Sequence, residues 1–352
     1  MARAPKAVVV EEDEDRAVRA NPDLHGHAAA AATLEAAARS GRLPHAWLLA
    51  GPPGIGKATL AYRFARWLLS DGAARPPGPA PLHLDPGEPT FRRIAAGAHA
   101  DLRVLRPTAE GGVKRVIRVE EVRAALRFMA MTPAEGGWRV VLVDGAELLR
   151  TEAANALLKT LEEPPPRSVL LLTSAAPDRL LVTIRSRCRR LDLAPLAAAE
   201  TARVLDTLLP ALPAAERQTL ARLAEGSPGR AVQLAEDEGL ALQQLVEGVL
   251  EGLPAGDRRR WHQLAETVAA KRDGSSFVTF VALLRRAISG AVRHAARGGE
   301  GAAPGWLAIR PLAEWSTLWD SLGRLAAETD ALSLDRKQAV LTMLGWLTPP
   351  RR

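Results

Sequence analysis

The chain has 352 residues, a length typical of two or three domains rather than one. Apolar residues make up 47% of it, which is enough for a sizeable core and excludes a globally disordered chain. The net charge of +7 is small for this length. It is equally compatible with a polyanion partner and with a surface of ordinary solvated arginines. Cys188 is the only cysteine, which excludes an intrachain disulfide and a cysteine-based zinc module.

Nothing in the sequence indicates export or a membrane. No apolar stretch reaches the roughly 18 residues of a membrane span, and the first residues lack the apolar core of a signal peptide. We therefore expect a cytoplasmic protein with no membrane partner. Residues 1–20 mix charged and small side chains and are predicted to form a loose tail.

From Asn21 to Pro195, short apolar runs alternate with segments of helical periodicity. The predicted strands are AWLLAG (46–51), the apolar run of WRVVLVDGAELL (138–149) and SVLLLTS (168–174), and VKRVIRV (113–119) is predicted to be the end of a strand that leads into a helix. The predicted helices end near Gly41, run from Thr59 to Ser70, and cover EEVRAALRFMAM (120–131) and EAANALLKTLEE (152–163). Residues 72–90, rich in proline and glycine, are predicted to be a surface excursion. Apolar strands that alternate with helices indicate a parallel sheet covered on both faces.

After Pro195 no convincing strand is predicted, and the periodicity is helical. Residues 196–245 are predicted to form a small helical unit, and residues 246–352 a larger all-α domain. One stripe in the larger domain has the spacing of a single helix face, and we interpret it as core or subunit interface. Its members are Leu312, Trp315, Trp319 and Leu322.

The segment GPPGIGK (51–57) follows a predicted buried strand and opens a predicted helix, which is the context that a phosphate-binding loop requires. Gly51, Gly54 and Gly56 allow backbone N–H groups to turn toward phosphate oxygens. Lys57 is the side chain expected to reach the β- and γ-phosphates. A glycine-rich turn with a chance lysine is the alternative, and the strand–loop–helix context disfavours it.

The residue after this lysine departs from the usual loop. A Ser or Thr normally stands there, because its hydroxyl binds Mg²⁺. Here the position holds Ala58, and Thr59 follows one place later. Adjacent helical residues point about 100° apart, so Thr59 is a poor geometric substitute.

The second apolar strand ends at Asp144, which is placed to hold Mg²⁺ through water. An active ATPase of this type carries a catalytic glutamate next, but Gly145 stands there and Glu147 lies two residues further on. Phosphate binding can survive this change together with that at Ala58, whereas metal-dependent hydrolysis should suffer.

The runs NALLKTLEEPP (155–165) and LLLTSAAPDRLLVTIRSRC (170–188) resemble the clamp-loader branch of the AAA+ ATPases, which contains the bacterial DNA polymerase III subunits gamma/tau and delta-prime. Within that branch, RLPHAWLLAGPPGIGKATLA (42–61) and TPAEGGWRVVLVDGAELL (132–149) are similar to the delta-prime members. The resemblance covers about residues 20–235. The last hundred residues fit only by length and helicity.

The resemblance implies three domains after the tail. Residues 21–195 would form an α/β P-loop AAA+ domain, RecA-like, with a parallel sheet and helices on both faces. Residues 196–245 would form a small helical lid, and residues 246–352 an all-α collar domain for oligomerisation. It also implies a five-subunit ring with gamma/tau and delta subunits, which places the sliding clamp on primed DNA at the expense of ATP.

The resemblance also assigns roles to single residues. Arg187, in Ser-Arg-Cys, matches an arginine finger that reaches the ATP of a neighbouring subunit, whereas the residues alone indicate only a turn with a solvated patch of Arg185, Arg187, Arg189 and Arg190. Ser174 matches the first sensor position, and Arg230, in GSPGRA, matches the lid arginine that senses the γ-phosphate. The expected nucleotide-binding residues are therefore Gly51, Gly54, Gly56, Lys57, Thr59, Asp144, Ser174 and Arg230.

Many family members carry a four-cysteine zinc module between the phosphate loop and the acidic strand. The matching stretch here has no cysteine, and His83 and His99 alone cannot form a structural zinc site, so we expect no zinc. The departures at Ala58 and Gly145 lead us to expect ATP binding without efficient hydrolysis, with Mg²⁺ only as a companion of the nucleotide. The chain would then act as a stator that activates a neighbour.

Three alternatives remain open. A gamma/tau-like active ATPase would differ at residues 58 and 145. A P-loop kinase for a small molecule would need a substrate lid in place of the long helical C-terminal domain. A general nucleic-acid-binding module would show aromatic side chains among basic ones, yet the chain has one Tyr and five Phe. The basic run Arg258, Arg259 and Arg260 is interpreted as a solvated face, with contact to DNA phosphates as the alternative.

Overall fold

A computed structural model describes residues 16–110, 114–135, 137–298 and 303–348. The chain divides into two compact units, the first comprising residues up to Leu208 together with Glu225–Arg230, and the second comprising Leu209–Ala224 and residues from Ala231 onward. Most of the predicted tail at residues 1–20 lies outside the described residues, and residues 16–20 are helical.

Five parallel strands form the sheet of the first unit in the order β2-β5-β6-β1-β7. A separate antiparallel hairpin, β3-β4, lies outside that sheet. The strands are β1 (Ala46–Ala50), β2 (Leu102–Leu105), β3 (Thr108–Glu110), β4 (Lys114–Val116), β5 (Arg139–Val143), β6 (Ser168–Ser174) and β7 (Arg189–Asp192).

The helices of the first unit are α1 (Ala28–Arg39), α2 (Lys57–Leu69), α3 (Pro89–Ala95), α4 (Val119–Met129), α5 (Thr151–Glu162), α6 (Val182–Arg185) and α7 (Ala198–Leu208). Alternate residues of a strand point to opposite faces of the sheet. In β1, Trp47 and Leu49 accordingly pack with α1 and α2, whereas Leu48 packs with α4 and α5. The predicted parallel sheet with helices on both faces is therefore confirmed.

Two strands of the sheet, β2 and β7, were not predicted from the sequence. β7 was predicted as part of an arginine-rich turn, and that prediction is wrong for Arg189 and Arg190, which pair with β1 in parallel. Because β7 is an edge strand with largely exposed side chains, its sequence lacks the apolar run that reveals a buried strand. β2 lies at the other edge and is only partly buried.

The proline- and glycine-rich excursion is mostly exposed, as predicted, but it is anchored to the domain. Leu82 and Leu84 are buried, and the backbone N–H of Leu82 donates to Glu35 on α1 at 2.8 Å. Arg75 and Glu88 close its ends with an ion pair of 2.6 Å. The predicted strand before α4 is observed as β4, and Val113 lies outside the described residues.

The second unit is helical, and no strand follows Asp192 in the described part of the chain. Its helices are α8 (Ala214–Leu223), the end of α9 (Pro228–Glu236), α10 (Gly239–Glu251), α11 (Arg258–Ala269), α12 (Ser275–Ala296), α13 (Leu312–Ala331) and α14 (Arg336–Leu347). α12 packs against α10 and α13, and α14 packs against α11 and α13. The domain boundaries predicted at residues 195 and 245 stay predictions.

The predicted stripe on α13 is observed in part. Trp315 and Leu322 are fully buried, and the indole N–H of Trp315 donates to Leu307 O at 3.0 Å. Trp319 is half-buried, with the guanidinium of Arg285 3.6 Å from its ring centroid. Leu312 is exposed, so the stripe begins one turn later than predicted.

One helix in the described part of the chain, α12, is long and apolar enough to cross a membrane by length and composition. This differs from the expectation that no stretch reaches that length. Half of its most apolar window is buried, and the buried side chains include Phe277, Phe280 and Leu284. The apolar side of α12 therefore contributes to the core of the second unit.

We expect Leu171→Ala to lower the free energy of unfolding by about 2–5 kcal/mol, because it leaves a cavity in the central strand of the sheet. Leu171 is fully buried on β6 and pairs with Trp47 of β1. Urea denaturation would measure the change. Leu208→Ala is the control, since Leu208 is 44% exposed, and an equal loss in both variants would contradict the assigned core.

Candidate functional site

The phosphate loop lies between β1 and α2, as the sequence predicted. The N–H of Gly51 donates to Ser174 O at 3.1 Å, which fixes the start of the loop at the carboxyl end of β6. Gly54 has a φ of +73°, and a Cβ there would lie 2.5 Å from Ser227 Oγ. Glycine is therefore required at Gly54 both by backbone conformation and by the close approach of a neighbouring segment.

Lys57 is the first residue of α2, and its side chain is buried inside the loop. Its Nζ donates to Gly51 O at 2.8 Å and to Pro52 O at 2.7 Å. Burial lowers the pKa of Lys57, and the negative charges of Glu147 and then Asp144 oppose that shift. The ammonium group is thus held at the N-terminus of α2, where a phosphate would bind.

Asp144 follows β5, and the chain itself supplies partners to both of its carboxylate oxygens. The hydroxyl of Thr173 donates to Asp144 Oδ1 at 2.6 Å and accepts the N–H of Gly145 at 2.9 Å. Arg106 lies on the other side, with its Nε 3.7 Å from Asp144 Oδ2. The acidic residue predicted to hold Mg²⁺ is therefore already engaged by a hydroxyl and a guanidinium.

Arg106 and Thr173 were not predicted from sequence. Thr173 could have been found, because it is a polar residue in the otherwise apolar run VLLLT of a buried strand. Arg106 gave no such signal. It stands just after β2, an edge strand that the apolar pattern did not reveal.

Glu147 lies in a short 3₁₀ turn, Ala146–Leu148, after Asp144. Its Oε1 accepts the N–H of Ala175 at 3.0 Å. Its Oε2 is buried and has no hydrogen-bond partner among the described residues. The negative charge of Glu147 opposes the lowering of the Lys57 pKa by burial, ahead of that of Asp144, although Glu147 stands two residues beyond the position of the expected glutamate.

Ser174 is fully buried at the end of β6, where its Oγ accepts the N–H of Ala176 at 3.2 Å. Thr173, rather than Ser174, contacts the acidic residue. Thr59 is half-buried on α2. The predicted sensor position is therefore at the expected strand end, with its hydroxyl used in a local turn.

The segment before Arg230 docks directly onto the phosphate loop. Gly229 N donates to Gly54 O at 2.9 Å, and Ser227 Oγ donates to Pro53 O at 2.8 Å. Arg230 stands in the first turn of α9, its side chain 3.9 Å from that of Glu225. The structure thus brings this predicted residue next to the loop, although the two are far apart in the chain.

Arg187 lies in the turn between α6 and β7. Its Nη2 donates to Glu162 Oε1 at 2.7 Å, and its Nη1 donates to Thr183 O at 3.1 Å. The side chain is 35% exposed. Among the described residues its polar contacts are with these two groups and not with the phosphate loop.

A groove of about 490 Å³ lies between the starts of α4 and α5. Parallel pairing of Ile117 with Leu149 sets the two helix starts side by side. Arg118 and Arg150 occupy the two N-cap positions. The positive ends of both helix dipoles lie there, and the two arginines are accompanied by two glutamates, so the formal charges of the lining side chains cancel. The lining residues are Arg118, Val119, Glu120, Arg150 and Glu152.

The family model for the DNA polymerase III delta subunit matches residues 26–197, which contain the phosphate loop, Asp144 and Arg187. The delta-prime subunit of DNA polymerase III from Pseudomonas aeruginosa is 42% identical over 208 residues, covering 58% of this chain and 60% of that protein. The delta-prime subunit of Escherichia coli is 36% identical over 241 residues, covering 66% of each chain. The chain belongs to the DNA polymerase III delta-prime family.

The chain is also similar to another DNA polymerase III subunit. The tau subunit of Escherichia coli is 33% identical over 221 residues, covering 60% of this chain but 32% of that protein. The chain spans 60% and 66% of the lengths of the two delta-prime relatives. The P-loop AAA+ fold and the delta-prime resemblance drawn from the sequence are confirmed.

We expect Thr173→Val to lower the free energy of unfolding by about 1.5–3 kcal/mol, because it removes a buried hydroxyl that is hydrogen-bonded to a carboxylate. Valine is close to threonine in shape, so the missing hydroxyl is the main change in β6. Urea denaturation would measure the loss, with Thr173→Ser as the control that restores the hydroxyl. A valine variant as stable as the wild type would show that Thr173 does not hold Asp144.

Proposed function

We propose that this chain is a stator of a cytoplasmic clamp loader, working with gamma/tau-type and delta-type subunits in a five-subunit ring. The ring would place a sliding clamp on primed DNA. The proposal rests on the combination of a retained arginine and two lost catalytic groups within a single domain. The exposed Arg187 is kept, while Ala58 and Gly145 replace the hydroxyl and the glutamate of an active ATPase.

The surroundings of Arg187 support a role in trans. The turn that carries it is anchored by Cys188, which is buried, and by the pairing of β7 with β1. The Glu162 partner is 52% exposed, and an ion pair this open contributes about 0–1 kcal/mol. A nucleotide phosphate on a neighbouring subunit can therefore displace Glu162 from the guanidinium.

The chain's own nucleotide site supports weak or absent hydrolysis. The loop around Lys57 keeps the donors that bind phosphates, so nucleotide binding remains part of the proposal. Ala58 offers no oxygen to Mg²⁺, and Gly145 offers no base. Gly145 has a φ of +82°, so even a glutamate introduced there would be strained.

Related proteins and surface charge support the proposed partners. The chain is similar both to a delta-prime and to a tau subunit of Escherichia coli, as expected for a ring of homologous subunits. At the groove, Arg118 and Arg150 are the side chains that could donate to DNA phosphates. The basic run before Trp261 forms the first turn of α11, where Asp257 accepts the N–H groups of Arg259 and Arg260.

We expect Arg187→Ala to slow clamp loading and the attendant ATP hydrolysis by about tenfold or more, since an arginine finger contributes about 10³–10⁵ in rate at the site it serves in related NTPases. The assay is steady-state ATP hydrolysis by the reconstituted loader with clamp and primed DNA. Arg187→Lys should recover little, because lysine lacks the planar fork.

Arg190→Ala is the matched control, because Arg190 is an exposed arginine three residues away that pairs with Asp192. It should leave the rate unchanged. The isolated chain should turn over no ATP. Brisk turnover by the isolated chain, or full activity of the loader with Arg187→Ala, would contradict the stator role and favour a gamma/tau-like motor.

We expect replacement of both Arg118 and Arg150 by Ala to weaken DNA binding by the assembled loader. The slope of log K against log salt should fall by about two, because each arginine neutralises about one phosphate. The triple replacement of Arg258, Arg259 and Arg260 by Ala is the control and should leave the slope unchanged. A changed slope in the control alone would indicate that the DNA-binding surface lies on α11.

A further inference from the structure

The site does not offer the ligands that Mg²⁺ takes beside a phosphate loop. Mg²⁺ is usually held there by a hydroxyl next to the lysine and by an acidic residue at the end of the neighbouring strand. Ala58 has no side-chain oxygen. Among the described residues, no three His, Cys, Asp or Glu side chains cluster in a way that could hold a metal ion.

The acidic residue is the second point of disagreement. Both oxygens of Asp144 face groups of the chain itself, the hydroxyl of Thr173 at 2.6 Å and the guanidinium of Arg106 at 3.7 Å. A fixed positive charge therefore already lies beside Asp144, and it disfavours a divalent cation at this carboxylate because like charges repel.

The sheet fixes the position of Arg106. β2 pairs with β5 in parallel, with Leu105 opposite Val143, so the next residues of the two strands, Arg106 and Asp144, are neighbours. The N–H of Asp144 donates to Leu105 O at 2.9 Å and locks this register. An arginine at the first position after β2 therefore has to lie beside Asp144.

Tyr62 holds the other end of the guanidinium. Arg106 Nη2 donates to the Tyr62 hydroxyl at 3.0 Å, and the guanidinium carbon lies 5.8 Å from the centre of the tyrosine ring. Tyr62 is fully buried on α2, the helix that begins at Lys57. Arg106 is thus fixed relative to the phosphate loop by the same helix that carries the phosphate-binding lysine.

We propose that Arg106 replaces Mg²⁺ in this site, so that the chain binds a nucleoside di- or triphosphate without a metal. A guanidinium supplies a positive charge and a fork of N–H donors that matches phosphate oxygens. Together with Lys57 it provides two positive charges for the phosphates, one from α2 and one from the end of β2. This inference rests on the proposed function only for the choice of a nucleotide as ligand.

The test is the affinity of the full-length chain for fluorescently labelled ADP, measured by anisotropy with Mg²⁺ and again with EDTA. The wild type should give the same Kd within about twofold in both buffers. Arg106→Ala should weaken binding in EDTA by about tenfold, because it removes a charged hydrogen-bond donor. Arg106→Lys should recover only part of the affinity, since it keeps the charge but lacks the fork of N–H donors.

Arg103→Ala is the matched control, because Arg103 is an exposed arginine on the same strand, and it should bind as the wild type does. A double variant, Ala58→Ser with Arg106→Ala, restores the hydroxyl and removes the competing charge, so its binding should become dependent on Mg²⁺. Thermal unfolding monitored by circular dichroism would establish that each variant is folded.

Three results would overturn the inference. They are wild-type binding that disappears in EDTA, unchanged EDTA binding by Arg106→Ala, and an absence of nucleotide binding in either buffer. None of them bears on the role of Arg187, which is measured by ATP hydrolysis in the assembled loader. If Arg106→Ala does not fold, the comparison of the wild type in the two buffers decides the question.

Discussion

The parallel pairing of β2, β5, β6 and β1 brings the residues of the nucleotide site to one edge of the sheet. In a parallel sheet all strands end at the same edge, so residues that follow different strands become neighbours. Gly51 follows β1, Arg106 follows β2, Asp144 follows β5, and Thr173 and Ser174 end β6. A slip of one residue in the pairing of β5 with β6 would turn Thr173 away from Asp144.

The charges at this edge are arranged differently from those of a metal-dependent ATPase. Lys57 and Arg106 carry positive charge, while Asp144 and Glu147 carry negative charge, and each acidic group accepts a hydrogen bond from a residue at or just after the end of β6. The chain thus balances the electric charge of the site with its own side chains. The lack of a base at position 145 agrees with our proposal that the site binds phosphates without hydrolysing them efficiently.

In our proposal, Arg187 is the residue by which the same domain serves a neighbouring subunit. The sheet that builds the nucleotide site also anchors, through β7 and Cys188, the turn that presents this arginine on the surface. A stator needs such rigidity, since an arginine finger works by position and charge. The proposed loss of hydrolysis at Ala58 and Gly145 and the retention of this turn are therefore compatible within one fold.

The class of fold, the phosphate loop and the departures at Ala58 and Gly145 could all be predicted from the sequence alone, because they are local features. Glycine conformation, apolar strand patterns and helix periodicity are encoded in adjacent residues. The edge strands β2 and β7 escaped prediction for the same reason, since strands that are only partly buried carry no continuous apolar run. The tertiary fold was needed to establish which side chains meet. The contact of Arg106 with Asp144, the hydrogen bond from Ala175 to Glu147 and the docking of Gly229 on Gly54 follow from strand register and packing across the whole domain. The sequence therefore determined which residues are expected to bind phosphate, and the tertiary fold placed beside them the arginine that replaces the metal in our proposal.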